Sequence, residues 1–419
     1  MPVHLNRSSL FAAVAALTLA TPGLATVGYF AHGYGTQAKG MGGAGVALPT
    51  SSITPATNPA GLAFVSSRVD FGAALFSPDR RYTVSGAPSG YQGTMGLAVG
   101  DVVSGSKNFA VPTLGVAWEL DPTTHLGLAL YGNGGMNTDY PGSTFYGGKT
   151  GVDLQQAFVM PTYSRLLGGK HALGISPIFA YQTFEARGLA AFSSMSSNAA
   201  CLSNRGHDTS HGFGARVGYL GQLTPRFAVG AGFQSRLAMS KFNDYCGLFA
   251  EDGDFDIPMN WTVGVAGKPI SALTLAADVQ EIYYSDVKSV GNAMLPNLGL
   301  TQLGQNGGAG FGWRDMTIVK FGAEYAATPA LSIRGGYAYG RQPIPKSEVM
   351  MNILAPGVME QHATLGATRS FGRTALSLAV TRAFTKSVEG TNPLEAPGQQ
   401  TIKLEMDQWD VDLGFSFGL

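Results

Sequence analysis

The C-terminal stretch, residues 408–419, changes polarity at every position. Trp409, Val411, Leu413, Phe415, Phe417 and Leu419 share one side of an extended chain, and Gln408, Asp410, Asp412, Gly414, Ser416 and Gly418 share the other. Successive side chains of a strand point to opposite faces, so this is the pattern of a strand with one unbroken apolar face. Such a face must be covered by a core or by lipid, and at the end of a chain it fits a closing strand that faces lipid outside and a polar interior. The same period begins at Arg68 and recurs in about fourteen segments of membrane-spanning length, at 68–88, 109–120, 125–132, 152–167, 171–187, 211–223, 226–241, 259–268, 272–285, 314–326, 331–341, 360–371, 374–386 and 403–418.

The links between these segments alternate in length. Short turns fall at 121–123, 168–170, 224–225, 269–271, 328–330 and 372–373, and long links such as 188–210, 242–258 and 286–312 lie between them. Short turns at one rim and long loops at the other are the outer-membrane arrangement. The expected fold is therefore all-β: a transmembrane antiparallel β-barrel of about 14 strands over residues 67–419.

Composition agrees. Only 13% of the residues are charged, about half the share of a soluble domain (about 25%), as a surface facing lipid requires. The 27 basic and 27 acidic residues cancel, so no basic excess points to a nucleic-acid partner. Residues 1–25 read as a secretory signal: His4 and Arg7, an apolar core over 10–20 too short to span a bilayer, then small residues at 23–25. The two cysteines, Cys201 and Cys246, lie in loop-like stretches. A bond between them is an expectation for an exported protein, and spacing alone does not establish the geometry it needs.

Between signal and barrel lies a glycine-dense stretch, residues 32–64, that carries Gly40, Gly42, Gly43 and Gly45 and ends in Asn58-Pro59-Ala60-Gly61. Glycine permits compact backbone where side chains would clash, which suits a hatch, residues 26–66, packed inside the lumen. Alternation turns Arg216, Arg236, Asp278, Gln280, Lys320, Glu324 and Arg334 inward. They form either a charge-paired network that anchors the hatch or, in part, a site for an anionic ligand group.

Other motifs carry less. Gly40-Met41-Gly42-Gly43-Ala44-Gly45 satisfies G-x-G-x-x-G, but no βαβ unit surrounds it, so nucleotide binding is rejected. Asp252, Asp254 and Asp256 open like a calcium loop, yet Ile257 and Val263 stand where the glycine and glutamate belong. His207, Asp208, Ser210 and His211 include hydrolase residue types with nothing to set base against nucleophile. No cofactor, metal site or enzyme chemistry is expected.

The hatch stretch with its Asn58-Pro59-Ala60 turn resembles the plug of the FadL/TodX family of outer-membrane transporters for long-chain fatty acids and other hydrophobic compounds. The likeness continues in Gly312-Trp313-Arg314-Asp315, in Gly322-Ala323-Glu324-Tyr325, and in the run from Leu331 to Tyr337 leading to Pro343-Ile344-Pro345. It implies a Gram-negative outer-membrane barrel occluded by an N-terminal hatch, with passive uptake and no enzyme activity. Cargo would be captured at the extracellular loops, held in an apolar lumen pocket, released when the hatch N-terminus moves, and passed sideways through the wall. By the same resemblance Asn58, Pro59, Ala60 and Gly61 are the hatch motif. Arg314 matches the region that supplies a cation for the substrate carboxylate, and Lys320 and Arg334 join it as substrate-binding candidates. The implied partners are a long-chain fatty acid or other hydrophobic small molecule, outer-membrane lipid, and the barrel-assembly machinery, with Phe417 as the assembly signal. Two alternatives remain open: aromatic or aliphatic hydrocarbons by the same route, or a structural or adhesive barrel with a closed plug.

Overall fold

Fourteen antiparallel strands close on themselves. The computed structural model describes residues 26–419, and the expected signal lies outside them. The strands are β1 (Arg68–Ser85), β2 (Phe109–Asp121), β3 (Thr124–Asn137), β4 (Gly151–Leu167), β5 (His171–Arg187), β6 (Asp208–Thr224) and β7 (Phe227–Gln234). They continue as β8 (Asn260–Ile270), β9 (Leu273–Ile282), β10 (Met316–Thr328), β11 (Leu331–Gly340), β12 (Gln361–Phe371), β13 (Thr374–Thr391) and β14 (Thr401–Gly418). Each pairs with its sequence neighbour, and β14 pairs with β1 from Thr401↔Ser85 to Gly418↔Arg68, which removes both sheet edges. No helix among the described residues is long and apolar enough to cross a membrane.

Alternation along β14 becomes inside and outside. Leu413 is 61% exposed and Trp409 49%, whereas Gln408 and Asp410 are fully buried. The outer face is thus apolar and unshielded by protein, as lipid contact requires.

Three strands depart from the expected pattern, each at a bulge; β13, expected to end at 386, shifts register between Ala383 and Lys386 and runs to Thr391. In β7 the pairing steps from Gln234↔Arg216 to Ala238↔Phe213, one residue extra on one side. The bulge reverses the facing of the residues after it. Arg236, expected inward, is therefore exposed and reaches Asp254 at 3.6 Å and Asp256 at 2.5 Å. That contact also occupies two carboxylates of the calcium-like run. The third bulge is at Asn133 in β3, where Gly132↔Ala157 is followed by Gly134↔Gln156. The expected segment ends at Gly132; the strand runs to Asn137, through three glycines around one asparagine that show no alternation.

Candidate functional site

The wall opens beside the β3 bulge. Pairing of β2 with β3 stops at Thr113↔Tyr131, while β2 stays paired to β1 as far as Phe109 and β3 to β4 as far as Asn137. Phe109–Pro112 and Gly132–Asn137 thus have no wall partner in each other. Pro112 has no N–H to give a ladder, and Asn133 diverts the strand. Above the bulge β3 pairs with the chain's N-terminal end instead: Phe30 bridges Gly134, and the Gly135 N–H donates to the Tyr29 carbonyl at 3.1 Å. A Cβ on Gly134 would stand 1.7 Å from that carbonyl oxygen, so only glycine permits the approach. Ala31 packs with Ala74 and Val111, and the Tyr34 hydroxyl donates to Asn133 Oδ1 at 2.8 Å. Residues 29–34 therefore stop the gap from inside.

The same segment fills the long-loop half of the lumen. Rings of Tyr29, Phe30, Tyr284 and Trp313 lie 5.0–5.8 Å apart, with Phe255 at 6.2 Å from Tyr29. The Tyr284 hydroxyl donates to the Val27 carbonyl at 2.6 Å, and Trp313 Nε1 donates to Asn352 at 2.6 Å. Around them Met136, Met316, Met350, Met351, Met359 and Met406 complete an apolar compartment, using the most adaptable of apolar side chains. The space left beside Gly28, Trp313, Met136 and Met406 is about 20 Å³, room for little more than a water.

The short-turn half is held differently. Residues 36–64 bond to strands around the whole circumference, which places them in the lumen. Lys39 sits between Asp410 at 3.2 Å and Asp412 at 2.9 Å. Burial pulls its pKa down, but the two carboxylates outweigh that and hold it above the ordinary range. Asp278 accepts from the backbone N–H groups of Gly45 and Val46 at 2.8 and 3.0 Å, and Asp70 accepts from the Ser52 N–H at 2.8 Å. Asn58 caps the 3₁₀ turn Pro59–Phe64 through the Ala60 N–H, and its amide donates to the carbonyls of Val46 at 2.7 Å and Tyr219 at 2.9 Å. The wall leaves room for this turn at glycines, among them Gly218 and Gly174, where a Cβ would meet Asn58 Oδ1 at 2.0 Å and Pro59 at 2.3 Å.

The three expected substrate cations do not converge. Arg334 is ion-paired with Glu324 and donates to Thr368 at 2.6 Å. Lys320 is buried at the neck between the halves and donates to the His32 carbonyl at 2.8 Å, where the His32 ring stacks on His362 at 5.6 Å. Arg314 is exposed. It lies with Arg341, Lys346 and Lys386 in an open groove of about 870 Å³ on the long-loop rim, not in the small cavity beside Trp313. In Gly-Trp-Arg-Asp it is Trp313, only 2% exposed, that points inward, and extended chain turns its neighbour out.

A cation the sequence did not single out does reach the compartment. Arg80 on β1 is 4% exposed and lines the same small cavity as Trp313 and Met406. Its guanidinium carbon lies 5.7 Å from the Phe76 ring centre and 5.9 Å from that of Phe109. Nη1 has no hydrogen-bond partner, and among the described residues Arg80 makes no ion pair. A buried cation without an anion is costly. The only sequence signal was its phase on a strand read as spanning, with Asp79, Arg80 and Arg81 adjacent.

The hydrolase residue types are separated. His207 contacts Asp153 at 3.0 Å, while the Ser210 hydroxyl is turned to the Ser240 carbonyl.

The sequence model of the outer-membrane transport protein family OMPP1/FadL/TodX matches residues 24–410. No curated protein sequence is a match. Among solved structures, the toluene transporter TodX of Pseudomonas putida is 17% identical, with 93% of this chain and 99% of that one covered and a TM-score of 0.67. A FadL homologue of Pseudomonas aeruginosa is 15% identical over 94% and 100%, TM-score 0.69. The toluene transporter TbuX of Ralstonia pickettii is 18% identical over 93% and 99%, TM-score 0.63. At these identities the structures show a common fold.

Proposed function

The chain belongs to the OMPP1/FadL/TodX family of outer-membrane transport proteins, and from that premise we propose that it is a passive channel for hydrophobic compounds whose gate is residues 26–34. One observation carries the reading: the segment that fills the apolar compartment is also the segment that stops the wall gap. A drug-sized or larger ligand needs a pocket of about 300–1,000 Å³, against about 20 Å³ here. Cargo and hatch tip therefore exclude each other. Cargo captured among the extracellular loops displaces the tip, and the displaced tip uncovers the gap at Asn133 and Gly134. Lateral exit then becomes possible, and the aqueous lumen is avoided.

The cargo we favour is a long-chain fatty acid. Arg80 supports it, since a carboxylate would satisfy the one unpaired cation that lines the cavity, whereas a neutral hydrocarbon would leave it buried without a partner. Lys320 joins the proposal as the residue that holds His32 where the movable tip begins. Arg314 and Arg334 would serve the rim and the strut network. An aromatic hydrocarbon is the second reading, favoured by the ring-rich lining and by the likeness to toluene transporters. Outer-membrane lipid would receive the cargo, and Phe417, exposed at the end of β14, would be read by the barrel-assembly machinery.

The test is equilibrium binding of a long-chain fatty acid, its methyl ester and toluene to wild type and Arg80→Met. The acid should bind more tightly than the ester, and the substitution should remove that difference. Equal binding of acid, ester and toluene to both proteins would replace the fatty-acid reading with the hydrocarbon one. No saturable binding of any of the three would overturn the channel itself.

A further inference from the structure

Two loops over the apolar compartment carry the chain's two cysteines, and the fold brings them into contact. Cys201 ends the turn Ala199–Cys201 in the loop after β5, and Cys246 comes directly after the turn Asn243–Tyr245 in the loop after β7. Both are free cysteines, and one side chain touches the two sulfurs. The Asn198 amide nitrogen lies 3.4 Å from the Cys201 sulfur and 3.6 Å from that of Cys246. The backbones are already joined, with the Gly247 N–H donating to the Cys201 carbonyl at 3.1 Å. The Ser196 hydroxyl donates to the Gly247 carbonyl at 2.7 Å. The loop after β9 converges on the same point, where the Ser197 N–H donates to the Leu303 carbonyl at 3.0 Å and the Asp252 N–H to that of Gly304 at 2.7 Å. Under this junction, Phe192, Leu202, Tyr245, Leu248 and Phe249 belong to the apolar cluster that contains Trp313.

Nothing else in the chain competes for these sulfurs. There is no third cysteine, and among the described residues no group of His, Cys, Asp or Glu is disposed to hold a metal ion. Both thiols pass through the periplasm and end on the extracellular side, where disulfides persist. We propose that Cys201 and Cys246 form a disulfide during export, and that it staples the loops after β5 and β7 into a single roof over the apolar compartment. Each thiol gives up its proton and the two sulfurs join. The two electrons pass to a protein disulfide of the periplasm, whose sulfur–sulfur bond breaks to leave two thiols. Burial and the neighbouring Cys201 push the Cys246 thiol up to about 11, which makes it a poor leaving group when an external thiolate attacks the bond. With the roof fixed, the movable part of the compartment is its floor, the hatch tip.

The proposal is tested on wild-type protein in isolated outer membranes, alkylated without reductant, digested and weighed. The expected result is one cross-linked peptide pair containing residues 201 and 246, lighter by two hydrogens than the free pair, with neither cysteine alkylated until reductant is added. Full alkylation of both cysteines without reductant would overturn it. Hydrogen exchange then tests the staple. Reduction, or Cys201→Ser, should raise exchange several-fold over residues 196–204 and 243–250 and leave residues 36–64 unchanged. Exchange unaltered by reduction would overturn the staple, because the bond would then form but hold nothing. The wild-type measurements decide both points even where the variant fails to assemble.

Discussion

The body of the hatch and its tip are parts of one segment, yet different chemistry holds them. Residues 36–64 are pinned by carboxylates on three strands: Asp70 on β1, Asp278 on β9, and Asp410 and Asp412 on β14. Residues 26–34 are held largely by apolar contact, the bridge at Gly134 and Gly135, and scattered hydrogen bonds that include those from Tyr284 and Lys320, that between His32 and Thr381, and that from Tyr34 to Asn133. Buried charge pairs are all-or-none, because losing one partner strands the other in low dielectric. Apolar contacts and lone hydrogen bonds can be exchanged for similar ones with an incoming hydrophobic ligand at little net cost. A segment anchored in the first way stays, and one held in the second way can move.

The largest effect should come from breaking the anchor. Asp410→Ala with Asp412→Ala leaves the Lys39 ammonium buried and unpaired, costing about 3–5 kcal/mol and visible as a lower unfolding temperature in detergent. Adding Lys39→Met should recover most of it; a triple variant as unstable as the double would show that the carboxylates act through something other than Lys39. Next is Gly134→Val, which denies the tip its place beside Tyr29. Barrel stability should hold while residues 26–34 become accessible to protease and bilayers containing the protein leak. An intact, protected tip would count against the bridge. Asn58→Ala removes a cap, a bond inside the body and a bond to the wall at Tyr219, and should cost about 1–2 kcal/mol without any change in leak. Tyr284→Phe deletes only the bond to Val27. It should weaken tip docking by about 0.5–1.5 kcal/mol and speed uptake at low cargo concentration, with the unfolding temperature unmoved.

The smallest effect is a pH dependence in the roof. Burial and the neighbouring Asp256 push Asp254 up to about 6, against the opposing effect of Arg236. Its protonated form is thus favoured in the folded loop. Loop stability should fall as pH rises from roughly 4, the ordinary carboxylate value, to about 6. Asp254→Asn should flatten the hydrogen exchange of residues 250–257 across that window.

The barrel was legible because period two is imposed by lipid on one face and a polar interior on the other, as β14 shows at every position from Gln408 to Gly418. The segment that bonds to the wall over residues 36–64 was marked by its glycines and by Asn58-Pro59, since a turn wedged against a wall needs both. The gap was not. It depends on the β3 bulge at Asn133, and a run of glycines carries no facing information. For the same reason Arg236 was placed inside: an extra residue in β7 reverses the phase, and nothing in Ser235-Arg236-Leu237 announces it. The cation was sought near Arg314 by likeness to a motif. The compartment's own cation, Arg80, became recognisable only once Trp313, from the end of the long link before β10, was seen beside it. That proximity lies in the barrel's closure and in no local spacing.

The central claim is that the tip must leave the wall before cargo can pass. Ala31 and Val111 share one small cluster at the gap. Cysteines at both positions, Ala31→Cys and Val111→Cys, in a chain also carrying Cys201→Ser and Cys246→Ser, allow the tip to be tied down and released at will. Uptake of labelled long-chain fatty acid into proteoliposomes should be abolished when the pair is oxidised and restored by reductant. Equal uptake in the two states, with the cross-link verified by mass, would contradict the account, because cargo would then be passing a wall that the tip still closes.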